Sequence, residues 1–176
     1  MVKPTPAQKT RLVALREDVV STMEGLPFLA DTDLSGLHTI PLGVLRKNAT
    51  QRHGVTRWRT LPSGALSVEV VDLHPSLLED DWEDYALFVL FHEYLHALGY
   101  RAHDAQFRSM EAQWPDSKGA MRGKAFTHER RLARAAWHWV CSTCGQRFPR
   151  QRRGGGRFLC RTCRTVLVDV PVKDIE

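Results

Sequence analysis

The sequence predicts an α+β fold followed by a small β-type ribbon, and three observations indicate it. An amphipathic helix is expected after Thr5, and alternating apolar residues at 65–71 are typical of a strand. An apolar run at 86–91 indicates a buried helix. Two Cys-x-x-Cys pairs between 141 and 163 are typical of a ribbon of short strands. We therefore expect two domains, residues 1–136 and 137–176.

The first elements can be placed in order along the chain. Thr5 and Gln8 have capping-box spacing, and Gly25 marks the end of the helix. The segment 31–64 is rich in Gly, Pro, Thr and Asn, and its two short apolar pieces, 40–45 and 55–61, predict a hairpin. The strand at 65–71 follows, so we expect a small antiparallel sheet next to the helix.

The start and end of the central helix carry recognisable signals. The acidic run 79–84 predicts a helix start near Asp81, with Asp80 and Glu83 at capping-box spacing. Gly99 is suited to the residue just beyond the helix end. An apolar helix of this kind is expected inside the domain.

The central helix contains the pattern His-Glu-x-x-His at 92–96. Residues four apart lie one turn above each other, so His92 and His96 can bind one metal ion. Glu93 is then beside the ion, where its carboxylate can take a proton from a water molecule. This pattern predicts a catalytic zinc site with Glu93 as general base.

Catalytic zinc sites in proteins usually have three side-chain ligands. His103 is the leading candidate for the third, because a tight turn through Gly99 can bring it back to the metal. Phe107, Met110 and Trp114 recur at helical spacing, which places His103 at the head of a second helix. The competing candidates are Glu111, His38, His53, His74, His128 and His138.

The cysteine array predicts a second, structural zinc ion. Two Cys-x-x-Cys pairs separated by fifteen residues have the spacing of a four-thiolate site with no open position; the cysteines are Cys141, Cys144, Cys160 and Cys163. A redox role is disfavoured by the presence of two pairs at ribbon spacing. A nucleobase deaminase is disfavoured because Glu93 directly follows His92 and Val140 precedes Cys141.

Charge is distributed unevenly behind a net charge of +5. Residues 60–100 contain eight acidic residues and no Lys or Arg, whereas residues 118–164 contain thirteen Lys or Arg and one acidic residue. The loop between the cysteine pairs is a candidate DNA-binding segment through its arginines, Arg147, Arg150, Arg152, Arg153 and Arg157. Trp137 and Trp139 are expected to pack between the domains or to stack on bases.

These motifs together resemble the SprT/Spartan family of zinc metalloproteases. The resemblance rests on the His-Glu-x-x-His pattern, on His103 followed by Phe107 and Arg108, and on the late four-cysteine ribbon, and it covers roughly residues 40–168. It implies a zincin-like fold and cleavage of proteins that are bound or crosslinked to DNA, single-stranded or duplex, as in DNA–protein crosslink repair.

Three functional hypotheses follow, and a proteolysis assay with and without DNA separates them. They are a DNA-coupled protease, a general intracellular peptidase with a purely structural ribbon, and a nucleic-acid-binding module on an idle protease fold.

The start of the chain has neither a signal peptide nor a transmembrane pattern, so we expect a cytoplasmic, nucleoid-associated monomer. The strand at 65–71 is either a core strand or an edge that pairs with substrate. Tyr100 is a candidate for stabilising the oxyanion.

Overall fold

The computed structural model describes residues 2–49 and 51–174 and has two compact units, Met1–Gly123 and Lys124–Glu176. The chain is α+β, with five α-helices and two small sheets among the described residues. The unit boundary precedes the one expected at 136/137, so most of the last helix belongs to the second unit. Within the described ranges, no helix is both long enough and apolar enough to cross a membrane.

The first helix, α1, spans Pro6–Glu24 and begins as the sequence predicts. The Thr5 hydroxyl accepts a hydrogen bond from the Gln8 backbone N–H, and the Gln8 side chain accepts one from the Thr5 backbone N–H. This reciprocal capping satisfies two donors that a helix start leaves open. One face of α1 is buried in the core through Leu12, Leu15, Val19, Val20 and Met23.

The sheet of the first unit has three strands: β1 (Leu42–Val44), β2 (Gly54–Thr60) and β3 (Leu66–Leu73), in the order β1-β3-β2. β2 and β3 form the antiparallel hairpin, and Gly64 in their turn has a φ of 82°. β1 pairs with β3 in parallel. The predicted hairpin between 40–45 and 55–61 is therefore wrong, and the sheet is mixed, because β3 takes the central position between the two segments.

The central helix, α2, spans Glu83–Ala97 and follows a short 3₁₀ turn at Asp80–Trp82. The predicted capping box of Asp80 and Glu83 does not form: Trp82 is the N-cap residue, and it makes no side-chain cap hydrogen bond. Its ring is buried instead, at 5% exposure. The helix is largely buried, as its apolar run predicts, through Tyr85, Ala86, Val89, Leu90, Phe91, Glu93, Tyr94 and Leu95.

Two short helices complete the first unit, α3 (Ala105–Glu111) and α4 (Ser117–Met121). Single 3₁₀ turns occur at Pro27–Leu29, Ser35–Thr39 and Pro75–Leu78. Phe91 of α2 stacks on Trp114, which follows α3, with ring centroids 4.8 Å apart. This contact packs the segment after α3 against the central helix.

The second unit contains most of α5 (Gly123–Leu132) and an antiparallel sheet of β4 (Trp137–Cys141), β5 (Arg147–Arg150) and β6 (Leu167–Pro171), with a 3₁₀ turn at Val172–Asp174. The strand order is β5-β4-β6. The sheet has a very small buried core of Cys141, Cys160 and Leu167, with Trp139 and Phe148 packed against it. A core of this size indicates that another interaction must stabilise the ribbon.

Candidate functional site

Three histidines of the first unit converge on one point. The Nε2 atoms of His92, His96 and His103 form a triangle in which each pair is 3.1 Å apart. His92 and His96 lie one turn apart on α2, and His103 lies two residues before α3. The three residues that the sequence suggested as ligands are therefore brought together.

The outward-facing nitrogens of two of these rings fix their tautomers. His92 Nδ1 lies 2.7 Å from Glu111 Oε1, and His96 Nδ1 lies 2.7 Å from the main-chain oxygen of Tyr100. A carbonyl oxygen and an ionised carboxylate can accept a hydrogen bond but cannot donate one. In each of these two rings the Nδ1 atom is therefore the one that carries the proton. Burial lowers the pKa of His96, which favours its neutral ring.

The inward-facing Nε2 atoms of His92 and His96 lie 3.1 Å apart. With both rings neutral and protonated at Nδ1, two nitrogen lone pairs face each other here and repel. A cation between them removes this repulsion. The three histidines could thus hold a metal ion.

The turn after α2 places two parts of this cluster. Gly99 has a φ of 106°, the Gly99 N–H donates to His96 O at 2.9 Å, and the Tyr100 N–H donates to Leu95 O at 3.1 Å. This is a Schellman-type helix end, as Gly99 predicts. It directs the Tyr100 carbonyl to His96 and returns the chain to His103. Asp104 then caps α3 by accepting a hydrogen bond from the Phe107 N–H.

We expect Gly99→Ala to weaken metal binding at the histidine cluster and to destabilise the first unit by about 1–3 kcal/mol, because alanine is strained at this positive φ. Gly36→Ala is the control, since a Cβ at Gly36 meets no atom within 4 Å. Thermal unfolding and titration of the apo-protein with Zn²⁺ against a chromophoric chelator measure both effects. Equal metal affinity and stability in the two variants would contradict this role of the turn.

The ring of Phe107 packs against all three imidazoles. Its ring is 1% exposed, and its centroid lies 5.0, 4.7 and 4.9 Å from those of His92, His96 and His103. The sequence indicated Phe107 through its helical spacing and as part of the motif that follows His103. Its contact with all three rings could not be inferred from helical spacing alone.

The competing ligand candidates lie elsewhere or have another role. Glu111 contacts the Nδ1 side of His92, so it orients a ligand and is not part of the histidine triangle. His53 lies 2.6 Å from the Tyr85 hydroxyl through Nδ1, and His74 accepts a hydrogen bond from the Ser76 N–H. His38 lies 3.5 Å from Glu17. His128 and His138 belong to the second unit.

Glu93 lies beside the histidine triangle and is 5% exposed. Its Oε2 is 2.8 Å from the Thr56 hydroxyl of β2, which also lies 2.9 Å from the Glu93 main-chain oxygen. Burial raises the pKa of Glu93, while the Thr56 hydrogen bond and the neighbouring His92 oppose the shift. A raised pKa makes this carboxylate a better proton acceptor than a solvated one.

The histidines and Glu93 line an open cleft of about 400 Å³, whose wall is formed by β2. The lining residues are Gly54, Val55, Thr56, Trp58, His92, Glu93, His96, Arg101 and His103. Within the described chain β2 pairs only with β3, so no strand pairs with its other edge. The strand at 65–71 is the central one, and the edge that could pair with a peptide is β2.

Arg101 brings a positive charge to the cleft. Its guanidinium lies 5.5 Å from the ring centroid of Trp58 on β2. Neither residue was singled out from the sequence, because their proximity depends on the turn after α2. Tyr100, the sequence candidate for an oxyanion contact, contributes its main-chain oxygen to His96.

The four cysteines of the second unit form a second cluster that could hold a metal ion. The sulfurs of Cys144 and Cys160 are 3.8 Å apart, far beyond a disulfide bond, and all four thiols are free. Backbone N–H groups of Cys144 and Thr143 lower the pKa of Cys141 to about 6. Hydrogen bonding to Cys144 and neighbouring thiols raise the pKa of Cys163 to about 12. A cation is needed to hold all four as thiolates.

The two cysteine knuckles have the same backbone pattern. The Gly145 N–H donates to Cys141 O, and the Arg164 N–H donates to Cys160 O, each at 2.9 Å. Gly145 and Arg164 both have positive φ, 69° and 59°. Arg164 is the one non-glycine residue in this region of φ among residues 2–49 and 51–174. Its unusual conformation repeats the turn that Gly145 makes in the first knuckle.

The basic loop between the knuckles is anchored to the ribbon and is not a free arm. Asp169 accepts hydrogen bonds from the N–H groups of Gly154 and Gly155, and the Trp139 indole donates to Arg152 O. These N–H groups lower the pKa of Asp169.

Aromatic rings order part of the basic loop. Arg150 lies 4.7 Å from the Trp139 ring centroid and Arg153 lies 4.2 Å from that of Trp137. Phe158 stacks on Trp139 at 4.2 Å, whereas Phe148 packs against the small core. Arg157 donates from Nε to Gly154 O. Three of the five candidate DNA-binding arginines thus have intramolecular contacts that orient them.

Comparisons of the chain with protein-family models, with curated proteins and with solved structures find no match.

Proposed function

We propose that the first unit is a zinc-dependent endopeptidase with a zincin-like fold, related to the SprT/Spartan family, and that the second is a zinc ribbon that couples it to DNA. The observation that carries the proposal is the convergence of three imidazole Nε2 atoms beside a buried glutamate in an open cleft. A purely structural histidine cluster does not need a carboxylate next to it or access to solvent.

The donor atoms of both clusters suit zinc. Tetrahedral zinc with bonds of about 2.0–2.1 Å to nitrogen separates two ligand nitrogens by about 3.3 Å, close to the 3.1 Å edges of the histidine triangle. Bonds of about 2.3 Å to sulfur separate two thiolates by about 3.8 Å, the Cys144–Cys160 distance. Three ligands leave one position open for catalysis, whereas four thiolates close the structural site.

The residues of the cleft have distinct roles in peptide hydrolysis. Zinc, when bound, makes water more acidic and polarises a carbonyl group. Glu93 accepts the proton of the attacking water and passes it to the leaving amine. His92, His96 and His103 hold the ion, and Glu111 and the Tyr100 carbonyl keep two of these rings in the required tautomer.

The free edge of β2 supports a peptide substrate in particular. The carbonyl of His53, just before β2, accepts a hydrogen bond from the His74 N–H where the pairing with β3 begins. Backbone groups alternate along a strand, so those of Gly54 and Thr56 face the other side, where the Thr56 backbone hydrogen-bonds to Glu93. An extended peptide can pair with this edge directly beside Glu93, which favours a protein substrate over a small molecule.

The ribbon supports DNA as the second partner. Arg150 and Arg153 are held over tryptophan rings, and residues 118–164 contain a single acidic residue. Guanidinium groups that are already ordered lose less conformational freedom when they contact phosphates. We therefore propose that proteins bound or crosslinked to DNA are the substrates, with the ribbon bringing the enzyme to them.

A general intracellular peptidase with a structural ribbon is the second candidate. It is favoured by the intramolecular contacts of Arg150, Arg153 and Arg157, which also stabilise the ribbon itself. The two candidates differ in their response to DNA. Proteolysis of a DNA-binding protein, measured without DNA and with single-stranded or duplex DNA, separates them.

Neutralising the five loop arginines should weaken DNA binding and remove most DNA-stimulated proteolysis. For every phosphate that the loop no longer binds, the slope of log affinity against log salt should become shallower by about 0.7–0.9. The variant replaces Arg147, Arg150, Arg152, Arg153 and Arg157 with Gln. The control removes the same charge from exposed residues of the first unit, Lys3, Lys9, Arg46, Lys47 and Arg108.

The outcomes are distinct for each candidate. Under the DNA-coupled function, only the loop variant loses stimulation, and its cleavage of an unfolded protein persists. An unchanged salt slope in the loop variant would exclude this loop as the DNA site. Under the general-peptidase function, DNA changes the activity of neither variant. Absence of any metal-dependent cleavage in the wild-type protein would overturn the endopeptidase proposal as a whole.

A further inference from the structure

The two carboxylate oxygens of Glu93 have different surroundings. Oε2 accepts a hydrogen bond from the Thr56 hydroxyl at 2.8 Å. Oε1 lies next to Gly54 of the same strand. Because the Thr56 backbone also hydrogen-bonds to the Glu93 side chain, the carboxylate is held by β2 through more than one contact.

Gly54 makes room for the second oxygen. A Cβ at Gly54 would lie 2.7 Å from both Glu93 Oε1 and Glu93 Cγ, and 2.8 Å from Val89 Cγ1. Real Cβ atoms do not approach other heavy atoms this closely, so a side chain here would displace the Glu93 side chain or the strand. Gly54 and Thr56 lie on the same face of β2, because side chains two apart in a strand point the same way.

We propose that the edge strand β2 positions the general base: Thr56 fixes the direction of the Glu93 carboxylate through its hydroxyl, and Gly54 leaves the room that this carboxylate occupies. This inference rests on the proposed endopeptidase function and adds two positioning residues to it. The hydroxyl of Thr56 sets the direction of the carboxylate, and neither residue is part of the histidine triangle. The same strand that offers its free edge to a substrate therefore also aligns the base with that substrate.

Three variants of the full chain, loaded with zinc, test the proposal: Thr56→Val, Thr56→Ser and Gly54→Ala. Thr56→Val keeps the shape of the side chain but loses its hydroxyl, so kcat should fall about tenfold to a hundredfold, the range expected for one hydrogen bond to a charged group. KM and zinc content should stay unchanged. Thr56→Ser keeps the hydroxyl and should stay within about threefold of the wild-type kcat.

If Thr56 had only a structural role, the activities of Thr56→Val and Thr56→Ser would be in the opposite order. Valine is at least as favourable as threonine in a strand, and serine is less so. If Thr56 served only the sheet, Thr56→Val would retain activity and thermal stability, and Thr56→Ser would be the weaker protein. Gly54→Ala should lower kcat with zinc retained, because its Cβ meets Glu93.

A crystal structure of zinc-free Thr56→Val gives a readout independent of activity. The Glu93 carboxylate should occupy more than one orientation in this variant, and a single one in zinc-free wild type and in Thr56→Ser. An unchanged carboxylate in Thr56→Val, or full kcat in this variant while Glu93→Gln is inactive, overturns the positioning inference but leaves the proposed function intact. A wild-type protein without zinc-dependent proteolysis overturns both.

Discussion

Glu93→Gln should lower proteolysis by about a hundredfold or more while zinc stays bound at the histidine cluster. Glutamine has the size of glutamate and keeps a carbonyl oxygen for the Thr56 hydroxyl, but it cannot accept a proton from water. Metal content should not change, because Glu93 is not part of the triangle formed by His92, His96 and His103. Turnover of an unfolded protein and the zinc content of the purified variant measure the two effects.

Glu83→Gln is the matched control for this prediction. It makes the same chemical change in the first turn of the same helix, where Glu83 pairs with Arg11 at 3.0 Å on the surface. Glu93→Gln should also be at least as stable as the wild type, because burial raises the Glu93 pKa and the neutral amide avoids desolvating a charge. Activity equal to that of Glu83→Gln would contradict the assignment of Glu93 as base.

The parts of the site that depend on local chain geometry were predictable from the sequence. His92 and His96 meet because residues four apart share a helix face, and Gly99 returns the chain because only glycine readily adopts its φ of 106°. The thiol cluster follows from two knuckles with fixed internal spacing. In each case a short motif contains the information for the contact.

The parts that depend on strand pairing were not predictable. The sequence suggested a hairpin between 40–45 and 55–61, but β3 lies between β1 and β2. No turn motif specifies a parallel pair such as β1 and β3, whereas the turn at Gly64 does specify the hairpin of β2 and β3. The contacts of Thr56 and Gly54 with Glu93 depend on this order, and so does the free edge of β2.

The helix start near residue 81 shows how burial overrides a local signal. Asp80 and Glu83 have the spacing of a capping box, but Trp82 between them is 5% exposed. A 3₁₀ turn at Asp80–Trp82 is adopted instead, and α2 begins after it. Burying a tryptophan stabilises the fold by more than the roughly 1 kcal/mol of a typical cap, so the capping box does not form.

Cys141→Ser should unfold the ribbon and leave the first unit folded, with the bound zinc falling from two ions to one. The buried core of the ribbon sheet is Cys141, Cys160 and Leu167, and two of these three are proposed zinc ligands. A single buried leucine contributes about 1.5–3 kcal/mol, whereas structural zinc contributes an apparent 10–16 kcal/mol, roughly, in small domains. The metal is therefore the larger stabilising interaction by far, and packing cannot compensate for its removal.

Ser142→Ala is the control for this variant, because Ser142 is exposed and lies next to the same knuckle. Hydrogen exchange separates the two units: in Cys141→Ser, protection should disappear in β4, β5 and β6 and persist in α1 and α2. Near-ultraviolet circular dichroism should lose the signal of Trp137 and Trp139, whose rings are ordered by Arg153 and Arg150. Two bound zinc ions and wild-type protection of β4 in Cys141→Ser would show that the ribbon does not depend on a four-thiolate site.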